Sequence, residues 1–116
     1  MDEQVKKAFE LANFMATLAS QKQIYKEEYH QNLLYYHNGG SFTATPELIT
    51  FTKSLVDLGH TTNIVLIDSN NIPIEVEDLS AFLEQILSVY YSAVNEYYSK
   101  YTQLKASRSA ESLVNL

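Results

Sequence analysis

Glu27 and His30 form an E-x-x-H pair in a stretch with helical spacing. A carboxylate and an imidazole three residues apart share one helix face, as in the iron centres of ferritin-like bundles. Such a centre needs a second E-x-x-H and further inward glutamates, but the last predicted helix, over 78–106, offers Glu84 and Glu96 and no histidine. His30 and His37, seven residues apart, would sit about 10 Å apart along a helix, too far to share one ion. They read as surface or interface histidines. His60 follows Gly59 and is placed to satisfy the final carbonyls of a helix ending there.

Other chemistries find less support. With no cysteine, thiol catalysis, disulfides and thiolate zinc are excluded. No G-x-S-x-G elbow occurs, and three glycines do not build a phosphate loop. Asp57 and Asp68 fall at a helix end and a turn, where structure alone explains them. The chain therefore reads as noncatalytic, with no catalytic residue, cofactor or metal expected.

What must be positioned instead is surface. Of the 116 residues, 46% are hydrophobic and 19% charged, the balance of a globular domain rather than a disordered chain. Fourteen acids against eight bases give a net charge of −6, which opposes binding to nucleic acid or anionic membranes. The acid is concentrated between residues 41 and 99, and the last 17 residues are basic. Carboxylates at Glu75, Glu77 and Asp78 suit the positive end of a following helix or, alternatively, an acidic surface for a basic partner. No apolar run reaches the length of a membrane span, and the acidic opening Met1-Asp2-Glu3 is unlike a signal peptide. The expected location is cytoplasmic.

The spacing predicts a long helix over 2–37, free of Gly and Pro and closed by Asn38-Gly39-Gly40. Leu11, Met15, Leu18, Tyr25, Tyr29, Leu33 and Tyr36 form its main apolar seam. Val5, Phe9, Ala12, Ala16 and Ala19 form a second stripe along another side, where small residues permit close approach by another helix. After a loop or short extended stretch over 41–45, Thr45, Pro46 and Glu47 read as N-cap and first turn of a short helix. Leu48, Phe51, Leu55 and Leu58 would be its apolar face. A β-hairpin over 63–77 follows, with Asp68-Ser69-Asn70-Asn71 as its turn and Pro73 marking an edge strand. A second long helix is predicted over 78–106. Its coiled-coil-like seam is Leu79, Leu83, Ile86, Tyr90, Val94, Tyr97, Tyr101 and Leu104.

The expected fold is thus mainly α in the order α-α-β-β-α: two long antiparallel helices, a short helix and one hairpin. It forms one elongated domain over 1–108, and 109–116 is a tail that either frays or docks. Helices of this length would span roughly 44 to 54 Å. Two of them leave apolar surface uncovered, so a homo-oligomer is expected, a two-fold dimer first. The expected interface comprises Phe9, Ala12, Ala16, Ala19, Tyr25, Tyr29, Tyr36, Tyr90, Tyr97 and Tyr101. The tyrosines also suit a bundle core, since a large ring with a polar tip fits a partly wet boundary.

Residues 63–79, Asn-Ile-Val-Leu-Ile-Asp-Ser-Asn-Asn-Ile-Pro-Ile-Glu-Val-Glu-Asp-Leu, followed by a Tyr-rich helix, resemble small uncharacterised proteins of T4-like marine phages. The resemblance spans less than half the chain and brings no catalytic or binding residue with it. It implies a virion or assembly role, with host cytoplasm or virion as the location. The first expectation is a noncatalytic assembly or adaptor protein that oligomerises through its long helices and presents the acidic hairpin end to a protein partner. The alternative is a small-molecule binding module with a tyrosine-lined pocket between the long helices.

Overall fold

The computed structural model describes residues 2–114, with side chains described through residue 106. Seven elements follow one another: α1 (Glu3–Asn32), β1 (Leu34–His37), β2 (Gly40–Thr43), α2 (Pro46–Asp57), β3 (Thr62–Ile67), β4 (Pro73–Asp78) and α3 (Leu79–Val114). The fold is mainly α, opening and closing on long helices, but it carries two antiparallel hairpins where one was expected. α3 runs on through Val114, so residues 109–114 of the expected tail continue the helix; the side chains of 107–116 lie outside those described.

The first helix ends five residues early. Leu34-Tyr35-Tyr36-His37 pairs with Gly40-Ser41-Phe42-Thr43, in the register Leu34↔Thr43 to His37↔Gly40. Asn38 and Gly39 both have positive φ, 49° and 81°. Two left-handed residues give the tight turn whose twist matches paired strands, and Asn-Gly is its preferred sequence. The same dipeptide is an acceptable helix terminator, and its tyrosines fit a helical seam as well as a strand. Tyr36 consequently lies on a strand, 71% exposed.

The second hairpin forms where expected, β3 against β4 with Val65↔Glu75 and Ile67↔Pro73 opposite one another. Ile74 and Val76 are buried while Pro73, Glu75 and Glu77 are exposed, as strand alternation requires. In α2 the Thr45 hydroxyl accepts the Leu48 N–H at 3.2 Å. Beyond Asp57 the chain closes in a Schellman arrangement: the Gly59 N–H reaches the Val56 carbonyl and the His60 N–H reaches that of Leu55. Thus His60 serves the helix end through its backbone. The buried face of α2 is rotated from expectation. It is centred on Thr52, with Leu48, Ile49, Leu55 and Val56 half-buried, while Phe51 and Leu58 are exposed. Both sets satisfy helical periodicity, and packing against the core selects the one flanking Thr52.

The chain divides into two compact units, a hairpin unit of His30–Asn95 and a helical unit of Met1–Tyr29 with Glu96–Leu116. Phe42, Ala44, Leu66, Ile74, Val76, Leu79, Phe82, Leu83 and Ile86 form the hairpin unit's core. Gly40 lies against Ile74 so closely that a Cβ there would stand 2.5 Å from Ile74 Cγ1. In the helical unit the segments of α1 and α3 run antiparallel. Tyr29 stacks on Tyr97 with centroids 5.0 Å apart, and Lys22 lies over the Tyr101 ring. Lys100 bonds Glu28 across the pair and Glu96 along its own helix. The Glu28 hydrogen bond first, then that of Glu96, raises the Lys100 pKa above its ordinary 10.5.

Charge follows this division. The hairpin unit holds seven acids and one base, Lys53, and so carries the whole net charge of −6, while the helical unit holds seven of each sign.

Candidate functional site

Two surfaces stand out, one in each unit. The first is a cleft of about 460 Å³ in the hairpin unit. Its floor is aromatic. The buried Phe82 ring meets His37 edge-on at 5.4 Å and Tyr35 at 5.7 Å, and its far side packs on Phe42 at 5.1 Å. These rings come together because the Asn38-Gly39 turn folds β1 onto β2, while Phe82 rises from the first turn of α3. Glu75 and Glu77 line the cleft from one face of β4, and Asp78, Ala81 and Gln85 line it from the start of α3.

The acids of this cleft have different duties. Asp78 Oδ1 accepts the Ala81 N–H at 3.1 Å and caps α3. Glu75 and Glu77 stand on β4, which runs directly into α3; among the described residues neither carboxylate has a hydrogen-bond or ion-pair partner. Asn38 Nδ2 donates to the Glu75 carbonyl at 3.0 Å and ties the turn of the first hairpin to β4. Nearby, Asp68 is buried and its carboxylate accepts the N–H groups of Ser41, Asn70 and Ile72. Chiefly the Ser41 bond, then that of Ile72, holds its pKa below the ordinary 3.8.

The second surface is the first half of α1, which is exposed on more than one side. Phe9 is 62% exposed, and Val5 is exposed with it on the second stripe; Leu11 and Met15, expected on the main seam with Leu18, are exposed as well, and of those three only Leu18 is buried. Ala12, Ala16 and Ala19 are exposed on the same helix. Of the expected interface tyrosines, Tyr25, Tyr29, Tyr90 and Tyr97 are half-buried. Tyr29 and Tyr97 pack on each other, Tyr97 meets Tyr101, and Lys100 lies over Tyr25. Tyr90 packs on Tyr91 and on the hairpin-unit core. Tyr36 is separated from the helical stripe altogether, because it belongs to β1. A recess of about 80 Å³ beside Tyr101 is lined by Leu18, Lys22, Leu104 and Lys105.

Glu27 of the E-x-x-H pair accepts a hydrogen bond from Gln23 at 3.1 Å. Among the described residues no three His, Asp or Glu side chains converge on a point that could hold a metal ion. His30 lies in the last turn of α1 and His37 ends β1, so they do not share a helix face. Among the described residues no helix is long and apolar enough to cross a membrane.

No protein-family model, curated protein or solved structure matches this chain. Of the cleft residues, Tyr35 and Gln85 carry no expectation from sequence, while His37 is read there as a surface or interface histidine and Asn38 as part of a helix stop; Asn38-Gly39 between two short β-prone runs is the signal that brings Tyr35, His37 and Asn38 together.

Proposed function

We propose that this chain is a noncatalytic assembly protein that self-associates through α1 and presents its acidic hairpin unit to a protein partner. The exposed apolar length of α1 carries this reading. Val5, Phe9, Leu11 and Met15 leave large side chains in water on a helix whose alanines allow a neighbouring backbone to come close. A second copy is the occupant that charge favours, because the helical unit is balanced in sign and two copies meeting there bring no net charge together. Meeting through the hairpin units would oppose −6 to −6. A two-fold dimer is the simplest closed arrangement. The resemblance of residues 63–79 to small phage proteins supports a setting in virion structure or assembly, within host cytoplasm or particle.

The second reading, a small-molecule module with a tyrosine-lined pocket between the long helices, draws on the recess beside Tyr101. Its volume of about 80 Å³ is well below the roughly 300 Å³ at which ligand pockets begin, so the first reading stands ahead. Sedimentation equilibrium over a micromolar concentration series tests the proposal. A mass that is a multiple of 13.2 kDa is expected; a monomer throughout overturns it.

A further inference from the structure

We propose that the cleft of the hairpin unit binds a cationic group, a guanidinium or primary ammonium carried on an aliphatic stem. This deepens the adaptor reading by giving chemistry to the acidic end, and it rests on that part of the reading alone, not on self-association. The cleft's volume of about 460 Å³ lies within the range of pockets that hold small ligands or single side chains. The half-buried Tyr35 and His37 rings, backed by the buried Phe82, offer aromatic surface there, which attracts a cation through the ring quadrupole and also accepts methylene groups.

The sign of the ligand follows from the walls. Glu75, Glu77 and Asp78 line the cleft, and among the described residues no lysine or arginine does. Lys53, the one base of the unit, is engaged by Asp57 at 2.7 Å. Glu75 and Glu77 share a strand face two residues apart, so a single donor group between them can meet both carboxylates. An anion would be repelled. A neutral apolar ligand would strip water from the carboxylates and give them nothing in return. A guanidinium or ammonium supplies both the charge and the donors. The backbone at this edge of the cleft is tied in advance by the Asn38 bond to the Glu75 carbonyl.

The test is a chemical-shift titration of the full chain at fixed ionic strength, with spermidine in one arm and an end-blocked Gly-Arg-Gly peptide in the other. Saturable shifts at Tyr35, Asn38, Ala81 and Gln85 are expected. Tighter binding of spermidine would identify a free polyamine as the source, and tighter binding of the peptide a protein-borne side chain. The double substitution Glu75→Gln, Glu77→Gln should weaken binding at least about tenfold, whereas Glu84→Gln, in the same unit but outside the cleft, should leave it unchanged. Gln85→Lys, which places a competing ammonium at the rim, should abolish binding and serves if the double variant does not fold. Absence of saturable binding in both arms at millimolar ligand overturns the proposal. So does equal weakening by Glu84→Gln, which would reduce the effect to net charge. Light scattering on the same samples separates the two readings: a monomer that still binds in the cleft removes self-association and leaves the cleft assigned.

Discussion

The carboxylate of Asp68 accepts the backbone N–H of Ser41 at 3.0 Å, so an acid in the turn of the second hairpin holds the second strand of the first. The Ser69 N–H answers with a bond to the Ser41 carbonyl at 2.8 Å. Two hairpins, each marginal alone, are thereby joined through Ser41 and over a shared core. Asp68→Ala should lower the melting temperature by several degrees, and Asp68→Asn, which keeps an acceptor oxygen, by less. The contribution has a definite pH dependence. Because the folded pKa lies below 3.8, the stabilisation is fully present above that value and is lost as pH falls through the folded pKa. Thermal melts from pH 6 down to about pH 2 should show a decline in the wild type that is shallower in Asp68→Ala.

Gly40 is required by contact. Its missing Cβ leaves room for Ile74, which crosses from the other hairpin at a distance no side chain could tolerate. Gly40→Ala should cost about 1–3 kcal/mol in denaturant unfolding, the usual range for overpacking a core. In a double-mutant cycle with Ile74→Ala, the double variant should be more stable than the sum of the single effects allows.

Thr52 is fully buried on α2, and among the described residues its hydroxyl has no hydrogen-bond partner. Replacing that hydroxyl with a methyl group removes an unpaired polar atom from the interior. Thr52→Val should therefore stabilise the chain by about 1 kcal/mol, read as a rise in denaturant midpoint without a change in slope.

The stack of Tyr29 on Tyr97 ties α1 to α3 within the helical unit. A Tyr29→Leu, Tyr97→Leu cycle should return a coupling of about 0.5–1.5 kcal/mol beyond the loss of buried area. Coupling near zero would mean that the rings do not meet in solution.

Legibility of the fold in the sequence varied with how many structures each signal admits. Thr45-Pro46-Glu47 permits little but a helix start, and Asp68-Ser69-Asn70-Asn71 between β-branched runs little but a turn; both formed as expected. Leu34-Tyr35-Tyr36-His37 admits two structures, because tyrosines suit strands and also continued the helical seam from Tyr25 and Tyr29. Asn38-Gly39 closes a helix or turns a hairpin equally well. The choice was made by Phe42 and Gly40, which pack against Phe82 and Ile74 from distant parts of the chain. A local reading does not contain that contact. The cleft was illegible for the same reason, since its floor exists only once β1 has left the helix. On α1, spacing alone groups Phe9, Ala12 and Ala16 on one side and Leu11, Met15 and Leu18 on another, but it does not say which side is covered: Leu11 and Met15 are exposed like Phe9.

Self-association through α1 is tested most directly by light scattering after size exclusion of the wild type beside the Ala12→Glu, Ala16→Glu variant, with circular dichroism confirming equal helix content. The wild type should elute at twice 13.2 kDa, and the variant, with four carboxylates forced into the interface of a two-fold pair, at 13.2 kDa. A wild type that is monomeric at micromolar concentration, or a variant whose mass does not change, would contradict it.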